Sequence, residues 1–500
     1  MELKALQNGS DIRGIAIAIP GGKPVDLSEK AAYAIGRALV RLLRKRLGKS
    51  ELKILAGRDS RLSGPSLCRA IEAGIAAEGA RSFDAGLATT PAMFMATVTE
   101  GFLFDASVMT TASHLPYERN GFKFFSAKGG FEKDDIAELL KIAETIPDED
   151  MALICSAAEK VDFMPVYAKQ LVDAIRRGTG EEKPLEGMRI IIDAGNGAGG
   201  FFATRVLAPL GADISASVFL EPDGSFPNHI PNPENKEAME SLRRAVLAGG
   251  CDLGLIFDTD VDRAGAMEAD GPPLDRNRLI ALAAAIAAEQ APGSTIVTDS
   301  VTSDQLTEFI EKKLGCRHHR FKRGYKNVIN EAIRLNEAGE TCLLAMETSG
   351  HGALKENYFL DDGAYLMVKL IIELSNAKKR GEELAALIDG LREPEEAREY
   401  RMPLNCEGFK EYGQGVIDAL EGWARGQDGI SLAEDNFEGV RVNFDKANGN
   451  GWCLLRLSLH EPLMPLNIES DDVGGVEVIA KKLYPVLSKF DRLDVRELGL

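Results

Sequence analysis

The chain has no excess of basic residues: 77 acidic side chains stand against 59 basic ones, a net charge of −18. That balance argues against nucleic acid or an anionic membrane as a partner. It also leaves an anionic substrate to be captured by local donors rather than by the overall field. Long apolar runs are missing too. The longest, around Leu279 to Ala288, falls short of the roughly 20 residues a membrane span needs. The opening MELKALQNGSDIRG lacks the apolar core of a signal peptide, so a cytoplasmic location is expected. Cysteine is sparse and odd in number. The seven, at positions 68, 155, 251, 316, 342, 406 and 453, never fall at C-x-x-C spacing, which favours reduced, mostly buried thiols over a disulfide framework.

What remains is an ordinary soluble composition, 45% apolar and 27% charged, on a chain of 500 residues that is too long for one core. Three segments share one pattern of apolar strand, polar turn, amphipathic helix, glycine and second strand. They begin at Leu52, Met188 and Ser294, about a hundred residues apart. Helical spacing of three and four between strands apolar on both faces predicts βαβ units on buried, largely parallel sheets. The C-terminal part reads differently. A helix over YGQGVIDALEGWARG precedes alternating strands GVRVNFD, WCLLRLSL and MPLNIES, with a closing helix from Gly475. The expected fold class is therefore α/β, three related βαβ-type domains with mixed, largely parallel sheets plus a C-terminal α+β domain. The expected boundaries are 1–162, 163–270, 271–392 and 393–500.

The stretch richest in chemistry is TTASHLPYERNGFKFFSAKGG, Thr110 to Gly130. It follows a short apolar strand, so Ser113 is expected on an exposed loop near Thr110, Thr111, His114 and Lys123. A serine among donors and a lysine suits phosphoryl or acyl transfer, although a polar turn with ordinary Ser and Thr caps has the same residues. In LGLIFDTDVDRAG, an apolar strand ends in Asp258, Asp260 and Asp262. Strand alternation would put the three carboxylates on one side, where they repel each other unless a hard cation such as Mg2+ neutralises them; a solvated acidic loop is the alternative. An EF-hand is excluded because Arg263 and Ala269 occupy the positions that need Gly and Glu. METSGH supplies Glu347, Ser349 and His351 after another apolar run, where α/β ligand sites gather, although on its own a plain turn is the better reading of these residues. In RLSLHEP, Arg456 and Ser458 offer a guanidinium fork and a hydroxyl suited to a phosphate dianion, although on its own a strand with two outward polar residues is the better reading. GNGAGG, Gly195 to Gly200, imitates a dinucleotide fingerprint, but no acidic residue closes a second strand at the right distance. It reads as a tight strand–helix turn. His318 and His319 read as surface residues rather than ligands.

These strings, in this order, resemble the α-D-phosphohexomutase superfamily, most of all its phosphomannomutase/phosphoglucomutase branch. Ser113, His114, Pro116, Asn120, Gly121 and Lys123 match its phosphoserine loop, with Leu115 in place of Asn. SDIRG from Ser10, GRDSRLSGP from Gly57 and DGSFPNHIPNP from Asp223 resemble further family segments. The resemblance implies Ser113 as the phosphoryl carrier and Lys123 as general acid/base, with His114, Arg263 and Arg13 in the catalytic group. It implies Mg2+ on Asp258, Asp260, Asp262 and Ser113. Glu347, Ser349 and His351 would recognise the sugar, the loop Arg323, Tyr325 and Lys326 would select its orientation, and Arg456 and Ser458 would hold a phosphate. Thr259, Met346, Leu459 and His460 depart from the pattern. The implied reaction interconverts hexose 1-phosphate and hexose 6-phosphate of glucose or mannose through a bisphosphorylated sugar. Glucose 1,6-bisphosphate would be the activator, and the enzyme a monomer or homodimer. Phosphoglucosamine as substrate, a metal-dependent sugar phosphatase and a non-catalytic sugar-phosphate binder are the alternatives.

Overall fold

The computed structural model describes residues 2–147, 158–434, 436–458 and 461–498. The chain divides into two compact units, Met1–Asp275 with Ser349–Ala386, and Arg276–Thr348 with Leu387–Leu500. Among the described residues no helix is long and apolar enough to cross a membrane.

In the first unit the segment from Leu52 forms the expected βαβ element. The strands Lys53–Arg58 and Arg81–Leu87 pair in parallel, and the helix Gly64–Ala77 runs between them. Ala106–Thr110 adds a third parallel strand on the other side of Lys53–Arg58. Arg119–Ser126 then turns back antiparallel against both Ala106–Thr110 and Asp11–Ile15. Leu39, Ile71, Ile54 and Val108 pack in one apolar core beneath this sheet, which leaves the C-terminal ends of its strands to carry polar chemistry.

A second sheet of four strands pairs Ile190–Asp193 in parallel with Leu253–Phe257, which in turn pairs antiparallel with Ala264–Glu268. The βαβ element expected from Met188 is present here in irregular form. Its helix is irregular, π-type over Phe202–Leu207 and 3-10 over Ala208–Leu210, where Pro209 has no N–H to donate. The following stretch is no regular strand but pairs in parallel with the strand Ile190–Asp193 and its flank through isolated bridges at Asp213 and Val218. Ser215 N donates to Asp213 Oδ1 and Ser217 N to Ile214 O, local bonds that compete with a ladder.

In the second unit Arg317–Arg320, Thr295–Thr298 and Cys342–Met346 pair in parallel, as the third segment predicts. A five-stranded antiparallel sheet follows, built from Glu396–Pro403, Leu463–Ser470, Gly451–Leu455, Val440–Phe444 and Ile430–Leu432. The helices Phe409–Ala424 and Gly475–Leu487 cover it, completing the α+β domain. His318 and His319 are not surface residues. Both are 4% exposed, His318 between the hydroxyls of Thr298 and Thr307 and His319 against Glu331.

Candidate active site

Ser113 sits at the end of the fully buried strand Ala106–Thr110, in the left-handed backbone region at φ +51°. It is 5% exposed, not on an exposed loop tip, because a buried arginine draws the loop inward. Arg61 donates to the carbonyls of Ser113, Leu115 (2.6 Å), Pro116 (2.9 Å) and Arg119 (2.9 Å). Ser113 N donates to Thr111 Oγ1 at 2.9 Å, which fixes the turn. The hydroxyl then points at Asp258, donating to Oδ2 at 2.7 Å, with His114 Nδ1 at 3.3 Å.

Asp258, Asp260 and Asp262 follow the strand Leu253–Phe257 on a tight turn, not on an extended strand. Val261 takes φ +69°, and Asp258 N closes the turn on Arg263 O at 3.3 Å. Strand alternation therefore does not align the carboxylates; the turn converges them. Their ligand oxygens lie within 4.8 Å of one another, and all three residues are buried. Burial, followed by the charges of Asp262 and Asp260, pushes the Asp258 carboxyl well above its ordinary range. Burial acts the same way on Asp262, but the charges of Lys123 and Arg263 and the Lys123 hydrogen bond outweigh it and hold that carboxyl below its ordinary value.

Lys123, from the strand Arg119–Ser126, places its ammonium on Asp260 Oδ2 (2.9 Å) and on Asp262 Oδ2. Burial would draw its proton away, but the two carboxylates win and its pKa lies well above the ordinary lysine value. One oxygen each of Asp260 and Asp262 is buried without a hydrogen-bond partner. Three hard oxygens, two of them unused, around a site where one amino group already stands as a cation, fit a divalent metal ion.

Arg263 stands beside this turn. Its Nε donates to His351 Nε2 at 3.2 Å and lies 4.0 Å from Asp258 Oδ2, while Nη1 lies 3.5 Å from Glu234 Oε2. Ser349 Oγ and His351 Nδ1 are 2.8 Å apart. Arg13 donates to Thr111 O (2.5 Å) and pairs with Asp11 (2.7 Å). The charge of Arg263, then burial, then Arg13, lower the His114 pKa to about 2, so its imidazole is neutral at any working pH.

In the second unit Glu347 Oε1 accepts from Gly324 N at 2.6 Å, joining it to the loop of Arg323. Thr348 Oγ1 donates to Asp299 Oδ2 (2.8 Å), which lies 3.9 Å from Arg323 Nε. Glu438 Oε2 accepts from Ser300 Oγ (2.6 Å) and Arg323 N (3.0 Å). Tyr325 and Lys326 open the helix Tyr325–Glu337 and are half-buried. Arg456 is 9% exposed, its Nε has no hydrogen-bond partner, and burial lowers its pKa. Ser458 N donates to Leu463 O at 3.0 Å, and its Oγ accepts from Glu461 N at 3.3 Å. Leu459 and His460 lie outside the described residues.

Known proteins carry the same organisation. Family profiles described as phosphoglucomutase/phosphomannomutase alpha/beta/alpha domains I, II and III match residues 4–150, 165–271 and 275–391. A phosphomannomutase/phosphoglucomutase of Pseudomonas putida is 34% identical, covering 94% of this chain and 92% of its own. The chain belongs to the phosphoglucomutase/phosphomannomutase family. It is thus a phosphotransferase of the phosphohexomutase class, with a phosphoglucosamine mutase of Symbiobacterium thermophilum also related at 31% identity over 96% of this chain and 98% of the relative. A solved phosphoglucomutase/phosphomannomutase family protein from Burkholderia thailandensis superposes with TM-score 0.77 at 27% identity, covering 98% of each chain.

Within this phosphohexomutase several supporting residues escaped the sequence reading. Arg61 lies inside GRDSRLSGP, but nothing local says that it binds four carbonyls more than fifty positions away. Thr90 caps the aspartate turn, its N donating to Asp260 O (2.9 Å) and its Oγ1 to Asp260 Oδ2 (2.5 Å). Asp299 and Glu438 brace the Arg323 loop. GNGAGG is, as expected, a tight turn after the strand Ile190–Asp193, and it has a task. Ala198 N donates to Thr259 O at 2.8 Å, and a Cβ on Gly197 would come within 2.9 Å of the Thr259 backbone. Only glycine lets the two turns touch.

Proposed function

We propose that this chain interconverts hexose 1-phosphates and hexose 6-phosphates through a phosphorylated Ser113 and a bisphosphorylated sugar. The observation that carries this reading is the Ser113 hydroxyl, aimed at Asp258 from a strained turn and ringed by three buried carboxylates and a lysine. Mg2+ held by Asp258, Asp260, Asp262 and Ser113 would supply Lewis-acid neutralisation of charge on the transferring phosphoryl group.

The chain's own groups account for the rest. Asp258 Oδ2 accepts a hydrogen bond from the Ser113 hydroxyl. Lys123, its pKa raised by Asp260 and Asp262, would serve as the general acid/base that hands a proton to or from the reacting oxygen. His114 is neutral and serves as a hydrogen-bond partner only. Arg263 and Arg13 bring positive charge to the serine turn. Glu347, Ser349 and His351 would bind sugar hydroxyls. Arg323, Tyr325, Lys326, Arg456 and Ser458 would hold the non-reacting phosphate and orient the sugar. After the first transfer the bisphosphorylated sugar has to present its other phosphate to Ser113, and glucose 1,6-bisphosphate would prime the serine.

The test is a mutase assay with Mg2+ and a trace of glucose 1,6-bisphosphate on the 1-phosphates of glucose, mannose, glucosamine and N-acetylglucosamine. Formation of 6-phosphate is expected, and the ranking of sugars names the substrate. Release of free phosphate without isomerisation would replace this reading with a phosphatase.

A further inference from the structure

Two motifs supply none of the reacting groups, GNGAGG and DGSFPNHIPNP, and they pack on each other. Gly195 has φ +52°, and a Cβ there would lie 2.7 Å from Pro231 Cβ. Asn228 Nδ2 donates to Asn196 Oδ1 at 2.8 Å. At the centre is His229, 7% exposed. Its Nε2 lies 3.0 Å from both oxygens of Asp193, and its Nδ1 lies 3.0 Å from the carbonyl of Ile230. A carboxylate and a carbonyl can only accept, so both ring nitrogens have to donate. The ring that makes both contacts is an imidazolium.

Asp193 is fully buried at the end of its strand and also accepts from Gly195 N and Ser241 Oγ, each at 2.9 Å. The other groups facing His229 are the edge-on ring of Phe219, 5.6 Å away, and the charge of Glu237 on the helix Lys236–Gly249. Burial alone lowers the His229 pKa. The Asp193 hydrogen bond and charge, the Ile230 carbonyl and Glu237 outweigh it, and the net direction is upward.

Beyond this staple the loop runs through Pro231, Asn232 and Pro233 to Glu234. Asn232 Oδ1 accepts from Glu234 N (3.0 Å), and Asn235 Oδ1 caps the next helix through Ala238 N (3.0 Å). Glu234 is thus held between two fixed points, with its carboxylate 3.5 Å from Arg263 Nη1. Arg263 in turn reaches Asp258, the carboxylate that takes the Ser113 hydroxyl.

We propose that the His229–Asp193 ion pair is a positioning element of the reaction. It holds the 226–235 loop so that Glu234 orients Arg263 at the serine turn, and the orientation is lost when His229 gives up its proton. The proposal rests on the mutase reading above. Because the folded-state pKa is raised, the pairing is complete below the ordinary value of 6.5 and is lost as pH rises through the raised value. Mutase turnover therefore has an alkaline limb set by His229.

The experiment uses the full chain with 15N-labelled histidine, which has six imidazoles to assign. One ring, absent from the His229→Gln spectrum, should stay doubly protonated above pH 6.5. The kcat of wild type should fall with that same titration, while KM stays nearly constant. His229→Gln should have about tenfold lower kcat at pH 6.5 and no limb of this origin, as expected when a reacting group is misplaced. Glu234→Gln should lose the same factor while the His229 titration stays intact, and this half-buried variant carries the test where His229→Gln does not fold. A neutral His229 ring at pH 6, an unchanged limb in His229→Gln, or wild-type kcat in Glu234→Gln would each overturn the proposal. A wild type with the imidazolium but no mutase turnover would sink the mutase reading and this role with it. Normal turnover with an indifferent Glu234→Gln would sink the role alone.

Discussion

Replacing Arg61 with methionine keeps much of the side-chain volume and removes the charge. Arg61 and Asp59 are both 0% exposed, and their nearest charged atoms are 3.4 Å apart. Burial already lowers the Arg61 pKa and raises that of Asp59, so each tolerates its charged state because the other is present. Leaving a buried carboxylate without its partner costs about 3–5 kcal/mol. The four carbonyls that lose their donors add to this, each by about 1 kcal/mol where no water replaces the guanidinium. A loss of about 5 kcal/mol follows, which at about 2–4 °C per kcal/mol for a unit of this size lowers Tm by roughly 10–20 °C. Calorimetry at pH 7 reads the loss directly. The double variant Asp59→Asn/Arg61→Met separates its two parts, because it removes the stranded charge but not the orphaned carbonyls. More than half of the loss should return, since the stranded charge makes up about 3 kcal/mol or more of it. A single variant that melts within about 3 °C of wild type, or a double variant no more stable than the single, would refute the account of Arg61 as the anchor of the serine turn.

Ser113→Ala should abolish turnover and the transfer of phosphate from labelled glucose 1,6-bisphosphate to the protein, while Tm moves by only a few degrees; retained labelling would dismiss Ser113 as carrier. Mg2+ at about a hundredfold over its Kd should stabilise the wild type by about 2.7 kcal/mol. Asp260→Asn should erase most of that thermal shift, and an unchanged shift would place the ion elsewhere. In the second unit, burial pushes the Asp299 carboxyl from 3.8 to about 7, against the pull of Arg323 and with the push of Glu347. The fold holds this proton more tightly than the unfolded chain does, so its contribution is present below pH 3.8 and drains away as pH rises to about 7. Asp299→Asn should therefore gain stability relative to wild type between pH 5 and pH 8 in guanidinium melts. Equal differences at both pH values would contradict the burial argument.

How much of this was legible in the sequence follows from where the partners of each residue lie. The serine loop and the aspartate loop are contiguous strings after apolar strands, so their chemistry can be read in place. The dipeptide His318–His319 could not be. It lies in a strand of four residues, Arg317–Arg320, that looks entirely polar. Its burial depends on Thr298, Thr307 and Glu331, which are 20, 11 and 12 positions away. With those acceptors and donors supplied, two histidines cost little to bury; burial and the nearby charges of Arg320 and Arg441 keep His318 neutral. Arg61 and Thr90 were invisible for the same reason. Their bonds cross 52 to 58 positions in one case and 170 in the other, and a hydrogen bond to a distant carbonyl leaves no periodic trace.

The aspartate turn shows why this matters for function. Read as an extended strand, Asp258, Asp260 and Asp262 would present carboxylates about 7 Å apart from one residue pair to the next, too far for one small cation. The structure instead folds them into a turn, which Val261 can occupy at φ +69° because the backbone around it is tied on several sides. Gly363 N donates to Val261 O at 3.1 Å, Thr90 N to Asp260 O at 2.9 Å and Ala198 N to Thr259 O at 2.8 Å. Each tie comes from a different stretch of chain, and each needs a small or capping residue at the point of contact. The glycines of GNGAGG, which imitate a nucleotide fingerprint, are therefore part of the same device as the carboxylates. A bulkier residue at Gly197 would push on Thr259 and spread the three aspartates before it touched any substrate.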